Sequence, residues 1–208
     1  MKAALALVWC CLPGLAAAAA TPVPQNWTID PAQSQVQFSV RKFWVVHVRG
    51  TFPGLRGSLR EIDARIGASM GKVDATLDVT KLRMDSARDR RYALGTSFFD
   101  AARYPAIHFD SDPFPLGKLA TGGTLRGSLS LHGERHPVTL ALLPSDCPRQ
   151  PLECAIHVQG SISRSSFGMR GWRGVLSNKV MLDLRIVVRS SMNAASSARQ
   201  PDSGQPGR

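Results

Sequence analysis

Between Lys179 and Arg189 the chain alternates without a break. Val180, Leu182, Leu184, Ile186 and Val188 take every second position, and Lys179, Asp183, Arg185 and Arg189 stand among the residues between them. Side chains of an extended backbone point to opposite faces in turn, so this pattern requires a strand with one face buried and the other in water. The same period recurs at Val36, Phe38 and Val40, at Val73, Ala75, Leu77 and Val79, and at Leu125, Gly127, Leu129 and Leu131. It returns at Val138, Leu140 and Leu142 and at Ile156, Val158, Gly160 and Ile162. With residues 27–30 and 55–66 the tally is about eight strands joined mostly by short turns, which favours an antiparallel sheet closed on itself. The fold class is therefore all-β. A barrel of this strand number is either filled by side chains or holds one small ligand. The small inward residues Ala75, Gly127 and Gly160 tilt the choice toward a ligand cavity, although an inward glycine can equally mark a barrel corner.

One stretch, from Arg88 to Ser111, departs from the alternation. Asp85 or Ser86 can cap a helix over Ala87–Leu94, and Gly95 can stop it. Tyr92, Phe98, Phe99 and Tyr104 make this connection too apolar to lie in water. A short helical connection near residues 86–102, folded under the open end of the barrel, is the expectation. Elsewhere the pattern leaves residues 43–48 as either a doubly covered strand or a turn of helix. It suggests a bend over residues 51–57 and a hairpin turn from His132 to Pro137.

The chain has 208 residues, enough for one β domain with a sizeable core. Lys2, the apolar run from Ala3 to Leu15 and the small residues through Ala20 have the layout of a signal peptide, residues 1–20, and imply export. Trp9 before Cys10 and Cys11 argues against a lipoprotein signal. Residues 21–190 then form the barrel domain, and the small, polar, Pro- and Gly-containing residues 191–208 form a disordered tail. Cys147 and Cys154 remain as a pair flanking a short Pro-containing loop. In an oxidising compartment they are expected to form a disulfide. A net charge of +11 suits either an anionic membrane surface or a solvated basic face. Nucleic acid is not an expected partner, because the chain is exported and has no basic helix or aromatic-plus-basic motif. Whether it forms a homodimer the residues leave open.

Catalytic signatures are missing: there is no G-x-S-x-G elbow, no phosphate-binding loop leading to a Lys and no dinucleotide fingerprint. The chain is not expected to be an enzyme. His132 and His136 have helical zinc spacing but fall on a turn with Gly133 and Pro137, so no metal site is expected. Arg88-Asp89 is the sharpest polar pair, able either to meet an anionic or carbonyl head group or to tie the helical connection to the rim. Arg164 reads as a buried arginine bracing the Phe167–Gly168 loop.

Several segments, in order, resemble one family. They are W-T-I-D-P-x-x-S-x-V-x-F-S-V from Trp27, the R-D pair, F-F-D-A-A-R-Y-P-A-I-H-F-D-S from Phe98, G-x-L-x-G-x-L-x-L-H-G-x-x-x-P-V-T-L from Gly123 and G-x-I-S-R-S-x-F-G from Gly160. Together they are similar to the YceI-like family of exported bacterial proteins, over roughly Trp27 to Arg189. Family members often carry His two residues after the R-D pair, where this chain has Arg91. The resemblance implies an eight-stranded antiparallel lipocalin-like barrel in the periplasm, whose elongated cavity binds polyisoprenoid or quinone-like lipid. On that reading Phe38, Val40, Leu77, Phe98, Phe99, Ile107, Phe109, Leu129 and Leu184 are candidate walls, and Arg88 is the candidate for the head group. No cofactor is required beyond a bound isoprenoid lipid or quinone. Two rivals stand beside it: an enzyme acting on an isoprenoid or small amphiphile within the barrel, and a filled-barrel envelope interaction module.

Overall fold

The structure is a computed structural model that describes residues 25–43, 45–63 and 69–191. The expected signal peptide and residues 192–208 of the expected tail lie outside the described residues. The described chain forms twelve strands in one antiparallel sheet. These are β1 (Asn26–Ile29), β2 (Gln35–Lys42), β3 (Val46–Pro53), β4 (Arg56–Asp63), β5 (Met70–Asp78), β6 (Ala106–Ser111), β7 (Phe114–Pro115), β8 (Gly123–Leu131), β9 (Glu134–Leu142), β10 (Ile156–Ser163), β11 (Leu176–Ile186) and β12 (Val188–Ser190). Helix α1 (Ala87–Leu94) lies between β5 and β6, and α2 (Lys118–Thr121) follows β7.

The twelve segments make eight staves, because several registers run on across a kink. β1 and β2 lie in line along β12 and β11, with Ile29 opposite Val188 and Gln35 opposite Arg185. β3 and β4 continue one another opposite β2 and β1, with Pro53 facing Gln35 and Ser58 facing Thr28. β6 and β7 do the same along β5. The β11–β12 stave bonds β10 on one edge and β1–β2 on the other, so the meander closes in chain order. Closure removes the unpaired edges that an open sheet would expose.

The closing staves bend together. Residues 30–34 form a loop opposite the single residue Val187, which separates β11 from β12. Asp30 N–H donates to Val187 O at 2.8 Å, and buried Ser34 both accepts from Val187 N–H at 2.9 Å and donates to Val187 O. The Asp30 carboxylate, only 7% exposed, accepts from Ala32 N–H, from the Gln33 amide at 2.8 Å and from Arg189 at 2.7 Å.

The connections at one end, here the mouth, are residues 43–45, 79–105, 132–133 and 164–175. Helix α1 is as expected: the Ser86 hydroxyl accepts from Asp89 N–H at 3.1 Å as N-cap, and Gly95 ends it. Of residues 43–48, Val46–Val48 begin β3, and Phe43 follows β2 in a turn, held at φ 49° with its N–H on Val175 O. The bend expected over 51–57 is confined to Gly54 and Leu55, where Gly54 takes φ 77°, and β3 stays extended through Pro53. The turn expected from His132 to Pro137 is only His132-Gly133. Both residues have positive φ, 54° and 80°, the two left-handed positions that a two-residue hairpin turn uses to match strand twist. Cys147 and Cys154 have Cα atoms 5.9 Å apart, within disulfide range.

Two outcomes follow. Burial opposes the charge on Asp30, but the Ala32 N–H, the Gln33 amide and Arg189 outweigh it and hold the carboxyl below its ordinary range. Its stabilisation is therefore present at neutral pH and lost as pH falls below about 3.9. Asp30→Asn is expected to lower the urea midpoint at pH 7, with the gap to wild type narrowing below that pH; a gap independent of pH contradicts the assignment. Replacing Cys147 and Cys154 with Ser is expected to cost about 2–3 kcal/mol in the same assay, the closure entropy of so short a loop.

Candidate functional site

Inward-facing alternate residues of all eight staves enclose a hollow of about 210 Å³. It runs from Leu119 and Leu142 at the end opposite the mouth, past Leu77, Leu129 and Leu184, to Tyr92 and Trp172 at the mouth. Away from the mouth its lining is carbon, the kind of cavity that takes up apolar molecules rather than ordered water. Phe38, Val40, Leu77, Phe98, Phe99, Ile107, Phe109, Leu129 and Leu184 all border it.

The connection that breaks the alternation supplies the roof. Phe99 packs edge-on against Phe52 with ring centroids 5.4 Å apart, and against Phe38 at 6.0 Å. Arg90 ties α1 down by donating to Leu82 O at 2.6 Å and Thr80 O at 2.9 Å, while the reciprocal Thr51–Arg83 backbone pair holds the segment against β3. A second strap is Gly171 N–H on Ser97 O, which joins the 164–175 loop to this connection.

The inward glycines do not open space. Added Cβ atoms would meet the Asp110 carbonyl oxygen and the Phe109 ring at Gly127, the Leu140 side chain at Gly160 and the Phe38 ring at Gly50. Each glycine makes room for a neighbour's bulk, and neither Gly127 nor Gly160 borders the hollow. Of the small inward residues, Ala75 does.

Among the described residues, polar groups reach the hollow only near the mouth: Lys42, Asp89, Tyr92, Arg164 and Trp172. Arg88, expected beside a head group, is not on the wall. It is exposed, with its guanidinium 5.7 Å from the Tyr92 ring centroid. Successive helical residues project about 100° apart, so Asp89 facing inward turns Arg88 away. Arg164 is 5% exposed and donates to four backbone carbonyls: Ser177 at 3.0 Å, Met169 at 3.1 Å, Gly171 at 2.6 Å and Leu176 at 3.2 Å. That is the brace expected for its loop. Four of its five N–H donors are spent on carbonyls, which leaves one on Nη2. Burial, and then the charge of Arg173, lower its pKa from the ordinary value. Arg164 also lies 6.0 Å from the Phe98 ring centroid, and Phe98 packs on Trp172. Alternation could not identify this mouth set, because Lys42, Tyr92, Arg164 and Trp172 sit at strand ends or in connections. His132 is a brace as well, with Nδ1 3.0 Å from Phe167 O. Among the described residues no group of three or more His, Cys, Asp or Glu is placed to hold a metal ion.

Residues 27–188 match the YceI-like domain. The chain belongs to the YceI-like family. The match spans the whole barrel, from β1 to the first residue of β12. Solved structures agree on the fold. BcnA of Burkholderia cenocepacia is 21% identical with a TM-score of 0.61, over 77% of this chain and 99% of that one. A polyisoprenoid-binding domain of Saccharophagus degradans is 18% identical at 0.58, over 79% and 98%. The YceI protein of Campylobacter jejuni is 16% identical at 0.51, over 72% and 88%. No curated protein matches the chain.

This YceI-like mouth yields a contrast. Arg164→Leu strands buried carbonyls and is expected to lower stability by at least about 2 kcal/mol. Arg88→Ala is expected to stay within about 0.5 kcal/mol of wild type. Chemical denaturation of both variants checks the pair; equal effects contradict the placement.

Proposed function

We propose that this YceI-like protein binds one elongated apolar lipid, a polyisoprenoid or isoprenoid quinone, inside its barrel. The observation that carries the reading is the asymmetric hollow, carbon-lined along the staves with polar groups only at the mouth. Such a lining suits a slender tail with a compact polar head, the head lying beside Arg164, Asp89 and Lys42. Each buried methylene contributes about 0.8 kcal/mol, so holding the tail needs no covalent or metal chemistry.

Support also comes from the Saccharophagus degradans relative, described as a polyisoprenoid-binding domain. A hollow interior runs against the filled-barrel rival. The enzyme rival gains no support from Arg164, whose donors are mostly committed to carbonyls. Carriage or storage of lipid in the periplasm completes the proposal, resting on the export layout of residues 1–20 and on the family.

Native mass spectrometry of protein from its own host is expected to show a co-purifying lipid, and the stripped protein is expected to take up an isoprenoid quinone. Leu129→Trp, which fills the bore from β8, is expected to weaken that uptake at least tenfold while leaving the far-ultraviolet circular dichroism unchanged. Failure of wild-type protein both to carry and to take up lipid overturns the reading.

A further inference from the structure

Large apolar side chains rarely stay in water, and here they gather at one end. Of the exposed large hydrophobics Phe43, Val45, Val46, Ile62, Tyr92, Trp172 and Met181, five belong to the mouth: Phe43, Val45 and Val46 at the β2–β3 tip, Tyr92 on α1 and Trp172 in the 164–175 loop. Val45 is 77% exposed and Phe43 57%. Among the described residues, the end opposite the mouth contributes Ile62, near the end of β4.

The backbone holds these groups outward. Phe43 and Trp172 have φ of 49° and 53°, left-handed values that bulky residues rarely adopt and that persist only where the surroundings enforce them. The two loops are fastened together, with Phe43 N–H on Val175 O at 2.9 Å and Val175 N–H on Trp172 O at 3.1 Å. Lys42 Nζ lies over both rings, 5.5 Å from the Phe43 centroid and 5.2 Å from that of Trp172, and Tyr92 packs on Trp172 at 5.3 Å.

Charge surrounds this patch asymmetrically. Arg41 and Lys42 flank the tip, Arg88 and Arg91 are exposed on α1, and the 164–175 loop carries Arg164, Arg170 and Arg173 with no carboxylate. Asp89, the acidic residue of α1, turns to the hollow, and the other acids of the 79–105 connection, Asp85 and Asp100, are outnumbered by Lys81, Arg83, Arg88, Arg90, Arg91 and Arg103. At the opposite end the loop around Cys147 and Cys154 mixes Asp146 and Glu153 with Arg149. Aromatic and aliphatic side chains ringed by cations match the boundary of an anionic bilayer, where rings settle among head groups and Arg and Lys meet lipid phosphates.

We propose that the mouth, from Phe43, Val45 and Val46 across Tyr92 to Trp172, docks on an anionic phospholipid surface, so that the open end of the cavity faces the bilayer. The inference rests on the cavity reading only for its purpose, which is to pass a lipid tail between membrane and barrel.

Flotation with phosphatidylcholine vesicles, with and without phosphatidylglycerol, tests it. Wild-type protein is expected to float with the anionic vesicles, at least tenfold less with neutral ones and less again at high salt. Val45→Asp and the double variant Arg170→Glu/Arg173→Glu are each expected to weaken flotation at least tenfold, while Met181→Asp, on the barrel wall, leaves it unchanged. Equal binding to neutral vesicles, equal loss in Met181→Asp, or no flotation at all overturns the proposal. Loss of a dimer in Val45→Asp without vesicle binding also overturns it and assigns the face to a second copy. Uptake of decylubiquinone from solution, without vesicles, separates the two readings. Protein that loads but does not float defeats docking alone, and protein that floats but does not load defeats the cavity reading alone.

Discussion

The pairing of the first stave with the last is the contact on which everything else in this barrel depends. β11–β12 already bonds β10 along one edge, and only when β1–β2 takes its other edge does a curled sheet become a wall with an inside. The pairing bridges chain ends far apart in sequence, so closing the ring carries a large loop entropy that many contacts together must offset. Its weak point is the shared kink. Asp30 and Ser34 fill that point with hydrogen bonds to Val187, Ala32, Gln33 and Arg189.

A closed wall of alternating residues turns chemistry into geometry. Every second side chain of Val180 to Val188 is aliphatic, so the inner surface is carbon along the staves, and the sequence can place polar groups on the hollow only where alternation ends. Those places are the mouth connections. The result is a cavity with a carbon shaft and a polar, cationic entrance, and the entrance is also where the molecule shows water its aromatic and aliphatic side chains. A tail-first amphiphile fits that gradient from either direction, because burial drives the chain inward while the head keeps its hydration or its hydrogen bonds at the rim.

Much of this was legible from the residues. Strand faces came directly from the two-residue period, since burying one face leaves no freedom of register. The position of α1 followed from Ser86 and Gly95, and its place as a roof followed from Phe98 and Phe99 being too apolar for an exposed connection. What alternation could not show was orientation within non-repeating segments. It does not distinguish Arg88 from Asp89 on one turn of helix, and it could not assemble Lys42, Tyr92, Arg164 and Trp172 from three separate connections. Nor could it say what an inward glycine is for: at Gly127 and Gly160 the missing side chain accommodates Phe109 and Leu140 rather than a ligand.

The central claim is that the shaft holds a hydrocarbon chain end-on, with its head at the mouth. A crystal structure of the protein stripped of lipid and then reloaded with an isoprenoid quinone tests this most directly. The account predicts continuous tail density passing Phe109 and Leu129 toward Leu119, with the ring beside Arg164 and Asp89. Quinone found only on the outer surface, with side chains collapsed across an empty shaft, would contradict it.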